Sequence, residues 1–297
     1  MCCKQCNIET NADICPVCGG TTVEDLPVEV YWCDSCKIPI INTIIQADKG
    51  CCPVCGGKTE YLSADLRPVF PEERLLVELL LEKEPNSLVN ESLWASNNRY
   101  YINGKSIAMP NSKYECANIN SIIEKLHSFS AANSYDGFNK YIQLFTLANR
   151  SRLEYLKDEA FQFIKKAASK FPAENIVVSF SGGKDSTVSA DLAVKALSDP
   201  SIVHIYGDTT LEFPSTTEYA ERFRKNHPNA IFQIAKNDEQ DFYDVCEDIG
   251  PPARMMRWFC SIVKTGPITR GINSLYDSQQ ILTFYGIRKA ESVSRSK

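Results

Sequence analysis

The apolar residues of this chain fall into two rhythms, and each rhythm predicts one kind of element. Asn175-Ile-Val-Val-Ser-Phe180 is a short, β-branched apolar run and predicts a buried strand. Ile202-Val-His-Ile-Tyr-Gly207, residues 230–235 and Ile281-Leu-Thr-Phe-Tyr285 predict three more. Between the strands the spacing turns helical. Apolar positions 153, 156, 160, 163/164 and 167/168 line one face, and Phe171-Pro172 closes that helix. Val188, Leu192, Val194 and Leu197 mark an amphipathic helix directly after the first strand. Strands alternating with helices predict an α/β domain over residues 150–297 with a parallel sheet and right-handed crossovers. Such a domain gathers the loops that follow its strands on one edge.

Before residue 150 the pattern is less regular. Pro71-Glu-Glu-Arg-Leu-Leu-Val-Glu-Leu-Leu80 opens with proline and two acids, a helix start. Asn98 to Met109 predicts a hairpin turning on Asn103-Gly104 in a type I′ turn. Residues 63–149 therefore read as a small α+β and helical linker region. Its aromatic residues Trp94, Tyr100 and Tyr101 are expected in a core rather than on a binding face. His204 is read as a packed strand residue rather than a catalyst.

In the first 62 residues the apolar rhythm gives way to cysteine. Ten of the chain's 13 cysteines lie in the first 55 residues; only Cys116, Cys246 and Cys260 fall elsewhere. They form Cys3-x2-Cys6 followed by Cys15-Pro16-Val17-Cys18-Gly19-Gly20, then Cys33-x2-Cys36 followed by Cys52-Pro53-Val54-Cys55-Gly56-Gly57. A C-x-x-C turn lets two thiolates face one ion, and the glycine after it frees backbone amides to bend toward sulfur. Two such turns supply four ligands with no open position, which is a structural zinc site. Zinc also explains how so short a segment folds. An Fe–S cluster or a redox C-x-x-C is the competing reading; the repeated Cys-Pro-x-Cys-Gly-Gly phrase resembles zinc ribbons. Two structural Zn²⁺ are expected: one on Cys3, Cys6, Cys15 and Cys18 within residues 1–24, one on Cys33, Cys36, Cys52 and Cys55 within residues 25–62. Cys2 and Cys51 are spare.

Charge and composition narrow the setting. A net charge of −5 excludes a globally basic nucleic-acid surface, though not a local patch. No apolar stretch at the N-terminus resembles a signal peptide, and no run approaches the roughly 20 apolar residues that cross a bilayer. A cytoplasmic protein without membrane contact is expected, and in a reducing compartment paired cysteines mean metal.

The candidate chemistry follows the first strand. Ser181-Gly182-Gly183-Lys184-Asp185-Ser186 sits between strand and helix, where free amides and the helix dipole face an anion. It is not a Walker A loop, which needs G-x-x-x-x-G-K-[ST]. It resembles the signature of the PP-loop superfamily of ATP pyrophosphatases and sulfonucleotide reductases. Asp208-Thr209-Thr210-Leu-Glu212-Phe213-Pro214 resembles the D-T-G-x-x-F-P-E-T segment of phosphoadenylyl-sulfate (PAPS) reductases, departing from it at Thr210 and Ser215. Arg257-Trp-Phe-Cys260-Ser-Ile-Val-Lys264-Thr-Gly-Pro267 resembles that family's arginine–cysteine–lysine–proline segment, and Gly286-Ile-Arg288-Lys-Ala-Glu291-Ser292-Val-Ser-Arg295 its G-x-R-x-x-[EQ]-S-x-x-R motif.

The resemblance implies an adenine-nucleotide alpha-hydrolase-like (PP-loop) fold and an enzyme of sulfur metabolism that binds PAPS, adenylyl sulfate or ATP. Carried over residue by residue, it implies nucleotide binding by Ser181, Gly182, Gly183, Lys184, Asp185, Ser186, Asp208, Thr209, Arg257, Lys264, Arg288, Ser292 and Arg295. Lys184, Asp185, Cys260 and Arg288 are the implied catalytic set. Three chemistries stay open: reduction of a sulfonucleotide with a thiol donor such as thioredoxin, adenylation by ATP with Mg²⁺, and sulfur transfer to tRNA or DNA docked by the ribbons. The family continues past its last motif with another strand and helices, so residues 150–297 are expected to be a truncated version of that domain.

Overall fold

A computed structural model describes residues 2–3, 8–9, 14–22, 28–43, 50–96, 99–109, 118–128, 135–253, 256–277 and 279–287. The chain divides into two compact units, residues 1–154 and 155–297.

In the first unit, β1 (Cys2–Cys3) pairs antiparallel with β2 (Ile8–Glu9). β3 (Val28–Cys33), β4 (Ile38–Thr43) and β5 (Thr59–Ser63) form an antiparallel sheet with β3 at its centre. A second antiparallel sheet runs in order β6 (Arg67–Pro68), β7 (Leu93–Ser96), β8 (Arg99–Ile102), β9 (Lys105–Ala108), and α1 (Pro71–Leu80) lies between β6 and β7 in sequence. The β8–β9 turn has φ of 49° at Asn103 and 80° at Gly104, the two positive values that a type I′ turn needs. Then come α2 (Ile119–Ser128) and α3 (Tyr135–Ala148); α4 (Arg150–Ala168) begins at the unit boundary and buries Ile164 and Ala168 in the core of the second unit.

Burial decides how these pieces join. Trp94 and Tyr101 are core, as their surroundings predict, and they share an apolar cluster with Trp32 of the ribbon sheet. A second cluster joins Cys33, Ile38, Ile40 and Cys52 to Tyr141 and Ala148 of α3. Asn149, only 2% exposed, clips this together: its side-chain oxygen accepts from the Ile41 amide at 2.6 Å and its nitrogen donates to the Pro39 carbonyl at 3.0 Å. The second ribbon and the region after it therefore share a core, which the cysteine pattern alone does not announce.

The second unit is built on β10 (Ile176–Phe180), α5 (Lys184–Leu197), β11 (Val203–Asp208), α6 (Pro214–Asn226), β12 (Ile231–Lys236), α7 (Phe242–Ile249), a π-helical turn over Cys260–Thr265, α8 (Gly266–Tyr276) and β13 (Leu282–Phe284). All four strands are parallel, in the order β12-β11-β10-β13. Every strand end falls within one residue of its predicted place. Val177, Val178 and Phe180 are buried on both faces of the sheet, the reason this strand reads as an unbroken apolar run. Phe180 stacks on Phe223 at 4.5 Å between centroids. His204 is fully buried, its ring stacked on Phe232, and its Nδ1 donates to the Ile202 carbonyl. It is a packing residue.

The topology places the site. The chain steps outward from β10 to β11 to β12 and then returns to the other side of β10 with β13. The strand order thus reverses between β10 and β13, and in open parallel sheets the crevice at the carboxyl ends of such a strand pair is where ligands bind. No helix among the described residues is long and apolar enough to cross a membrane.

Candidate functional site

The loop after β10 is shaped by its glycines and closed by one buried hydroxyl. Gly182 has φ +73°, and a Cβ there would lie 3.0 Å from Thr216 Cγ2, so helix α6 forms the back wall of the turn. Gly183 caps α5 without any side-chain cap bond. Gly183 thus offers no capping side chain to the start of α5, the condition under which a helix N-terminus attracts an anion. Ser186, read from the sequence as an anion donor, is turned inward. Its Oγ accepts from the Ser181 amide and the Ser181 hydroxyl, each at 3.1 Å, and donates to the Gly183 carbonyl at 2.9 Å. Ser186 is the brace of the turn, while Ser181, Gly183 and Lys184 are exposed.

β13 delivers the second wall. A Cβ on Gly286 would sit 2.5 Å from the Asp185 carbonyl oxygen and 2.9 Å from the Ser186 amide nitrogen, so only glycine lets this strand exit press on the first turn of α5. The Gly286-Ile287 end of the last motif therefore lies beside the loop. Arg288, Ser292 and Arg295 lie outside the described residues.

The end of β11 adds two carboxylates. Asp208 accepts from the Thr210 amide at 2.9 Å through Oδ1; its Oδ2 has no hydrogen-bond partner among the described residues. Glu212, which the sequence reading passed over, accepts from the Thr209 amide at 3.1 Å and the Thr209 hydroxyl at 2.7 Å. The third motif lies on the turn before α8. Cys260 opens the π-helical turn and is half-buried, and Trp258 is buried among Phe242, Val245 and Val263 with its indole N–H on the Gly250 carbonyl. Arg257 and Lys264 are exposed. Among the described residues no hydrogen bond or ion pair joins Arg257, Cys260 or Lys264 to the loop; their turn packs instead against β11.

The other candidate centre is the ribbon. The thiols of Cys33, Cys36, Cys52 and Cys55 all lie within 4.8 Å of one another. The Cys33–Cys55 and Cys36–Cys52 sulfurs are 3.5 and 3.9 Å apart. A tetrahedral zinc ion with bonds of about 2.3 Å wants sulfurs about 3.8 Å apart, so the donor set fits that ion. Amides already point at sulfur: Cys36 N–H toward Cys33 and Gly57 N–H toward Cys55, both at 3.4 Å. Burial, and after it the neighbouring thiols, pushes Cys33 and Cys36 up from the usual thiol range. The Gly57 amide, helped by Cys36 and Cys33, pulls Cys55 down to about 7. Four thiols this close cannot all ionise without a cation between them. Cys51 is exposed and stands apart from the four.

The first knuckle repeats the geometry of the second. Cys15 N–H donates to the Gly20 carbonyl and Gly19 N–H to the Cys15 carbonyl, just as Cys52 does to Gly57 and Gly56 to Cys52. Gly19 and Gly56 share φ near +70°. The side chain of Cys3 and all of Cys6 lie outside the described residues.

Comparison with known proteins agrees with the second unit. Residues 175–297 match the family model described as phosphoadenosine phosphosulfate reductase domain. An uncharacterized protein of Methanocaldococcus jannaschii is 31% identical over 62% of this chain and 37% of its own. A sulfate adenylyltransferase subunit 2 of Alkalilimnicola ehrlichii is 29% identical over 50% of this chain and 46% of its own. The chain thus spans between about a third and a half of the length of these relatives. A phosphoadenylyl-sulfate reductase from Candida auris, solved with phosphate, aligns at 17% identity over 48% of this chain and 69% of its own, with a TM-score of 0.35. The family match thus falls on the four-stranded parallel sheet and on all four motifs, and residues 175–297 are similar to the phosphoadenosine phosphosulfate reductase domain.

Proposed function

We propose that this protein is an enzyme of sulfur metabolism that binds an adenine nucleotide by its polyanionic end in the loop 181–186. One observation carries this reading above the others: a helix N-terminus with no side-chain cap, behind two glycines, at the switch point of a parallel sheet. In this reading the amides after Gly182 and the Lys184 ammonium hold phosphate or sulfate oxygens. Arg257, Lys264, Arg288 and Arg295 bring further positive charge, and Ser292 a hydroxyl. Asp185 and Asp208 make the polar contacts to the nucleotide, whereas Thr209, expected there from the sequence, is buried with its amide and hydroxyl on Glu212 and serves the turn. Two zinc ions, where bound, are structural and hold the ribbons.

Two chemistries fit that site. With ATP, an acceptor oxygen attacks the α-phosphorus and pyrophosphate leaves, with Mg²⁺ near Asp185 or Asp208 offsetting the charge. Relatives named as sulfate adenylyltransferase subunit 2 favour this reading. With a sulfonucleotide, the Cys260 thiolate attacks sulfur, the sulfur–oxygen bond breaks and the nucleotide phosphate leaves; a thiol donor such as thioredoxin then attacks the Cys260 sulfur, expelling sulfite and forming a disulfide that the donor's second thiol resolves. The matching family model and the π-helical turn at Cys260 favour this second reading. Calorimetric titration of the purified chain with ATP, PAPS and adenylyl sulfate, with and without Mg²⁺, separates them. Binding of ATP that requires Mg²⁺ supports adenylation; binding of PAPS indifferent to Mg²⁺ supports reduction. No binding of any of the three overturns the nucleotide reading.

A further inference from the structure

The turn 208–213 contains a conformation that needs explaining. Thr210 has φ +65°, in the left-handed region that β-branched residues avoid. Such a conformation persists where surrounding bonds over-determine it, and here three sets do. The Thr210 amide donates to Asp208 Oδ1 at 2.9 Å. The Thr210 hydroxyl accepts from the Phe242 amide, the first residue of α7, at 3.0 Å. Glu212 takes both the amide and the hydroxyl of Thr209 on its two oxygens. With both oxygens engaged inside the turn, Glu212 serves the backbone rather than a ligand.

What this turn fixes is the start of α6. Phe213 is the N-cap of that helix, and three residues on, Thr216 stands 3.0 Å from the place a Gly182 Cβ would occupy. One turn further, the Tyr219 hydroxyl donates to Thr187 of α5 at 3.2 Å. A continuous chain of contacts thus runs from α7 through Thr210 and Glu212 to α6 and from there to the back of the glycine turn. On the other side Asp208 is held through Oδ1 by the Thr210 amide.

We propose that Thr210 and Glu212 are positioning residues for the anion loop. Thr210 ties the β11 turn to α7 by its hydroxyl, and Glu212 fixes the turn that seats α6 behind Gly182. This rests on the reading of residues 181–186 as the nucleotide cradle, and adds that the cradle's shape is set from the neighbouring strand. The consequence is specific: the hydroxyl of Thr210 matters more than the relief of its backbone conformation. Thr210→Gly removes the strain, yet loses the bond to Phe242.

Two measurements on the full chain test the proposal. The first is hydrogen exchange of the amides from Ser181 to Thr187 in the ligand-free protein. Thr210→Val, Thr210→Gly and Glu212→Gln are expected to exchange about tenfold faster there, the equivalent of one lost hydrogen bond. Thr210→Ser is expected to keep the wild-type rate, a rescue that a loss of packing alone would not give. The second is affinity for ATP and PAPS, expected to fall about tenfold in the same three variants and to stay unchanged in Thr210→Ser. Unchanged exchange at residues 181–187 in both Thr210→Val and Glu212→Gln would overturn the positioning roles. A wild-type chain that binds neither nucleotide sinks the cradle reading instead, and the exchange result then still decides whether the turn shapes the loop.

Discussion

In the functions proposed for them, two glycine turns in this molecule face the same problem, how to hold negative charge with backbone amides, and they solve it differently. In Cys52-Pro-Val-Cys-Gly-Gly57 the charge belongs to the chain: the thiolate of Cys55 already receives the Gly57 amide. In Ser181-Gly-Gly-Lys-Asp-Ser186 the charge must arrive with a ligand, so the turn is closed by the buried Ser186 hydroxyl and the helix behind it carries no side-chain cap. With a structural ion bound, the first kind of turn owes its stability to that ion. The second is shaped before its ligand arrives, because the sheet, α6 and Gly286 hold it from outside. The difference is between a site that makes its fold and a fold that makes its site.

Metal removal is the widest way to break that comparison. A structural zinc supplies roughly 10 kcal/mol or more of folding free energy, which an apolar cluster as small as Cys33, Ile38, Ile40 and Cys52 does not replace. Chelation is expected to unfold the first ~60 residues, as two ribbons imply, and to loosen α3 as well, since Tyr141 and Ala148 pack on the same cluster. Nucleotide affinity is expected to change little, because the parallel sheet has its own core. Elemental analysis and circular dichroism check this. Two zinc per chain are expected; iron with a visible charge-transfer band would contradict the ribbon reading.

The next two changes probe the preshaped loop. Gly286→Ala puts a methyl group 2.5 Å from the Asp185 carbonyl, where the obstacle is backbone and cannot swing aside. A cost of about 3 kcal/mol in stability is expected, the upper end for overpacking, and with it a displaced loop and weaker nucleotide binding. Thermal melting together with titration reads both. Lys184→Ala is gentler, since the side chain is exposed. Affinity for the nucleotide is expected to fall by roughly 1.5–3 kcal/mol, the range for a lost charge-assisted hydrogen bond, with an unchanged melting temperature. Asp185→Asn measured beside it sorts the chemistry: a loss confined to Mg²⁺-dependent turnover points to ATP, indifference to Mg²⁺ to a sulfonucleotide.

How much of this was legible in the sequence differs between the two regions for a physical reason. The central strand β10 was readable because it is buried on both faces, so burial writes itself as the unbroken run Ile176-Val-Val, whereas the edge strand β12 leaves Ile231 and Ile234 exposed and was legible only from its β-branched and apolar residues. The anion loop was readable as a motif, yet the division of labour inside it was not. Ser181 and Ser186 look equivalent on paper, and only the fold turns one hydroxyl inward. Glu212 gave no signal because its partner, Thr209, is three residues away and the two bonds depend on the turn being formed. In the ribbons, cysteine spacing gave the ligands of the second centre, whose four thiols do meet. It could not announce that α3 completes their core, because the link is Asn149, a polar residue more than a hundred positions away in the chain that becomes buried only when Pro39 and Ile41 bond to it.

The smallest expected effect separates the two regions by pH. His204 is fully buried in β11 and burial lowers its pKa from the ordinary histidine value. Its Nδ1 proton is committed to the Ile202 carbonyl and its Nε2 is buried without a partner among the described residues, so the neutral ring is the form the sheet accepts. The unfolded chain takes up a proton near pH 6.5, whereas the folded chain does so only at lower pH. Stability from this group is therefore complete above about pH 6.5 and declines as pH falls toward the folded value, by at most about 1.4 kcal/mol per pH unit for one proton. Replacing it by phenylalanine keeps a ring on Phe232 and removes the titration. His204→Phe is expected to flatten the pH dependence of melting of the nucleotide domain between pH 7 and 5, while the ribbons still lose metal on acidification because their thiolates protonate. Parallel melting curves for wild type and His204→Phe in that range would contradict this, and would mean that the ring stays neutral in the unfolded chain too or finds a partner for its second nitrogen.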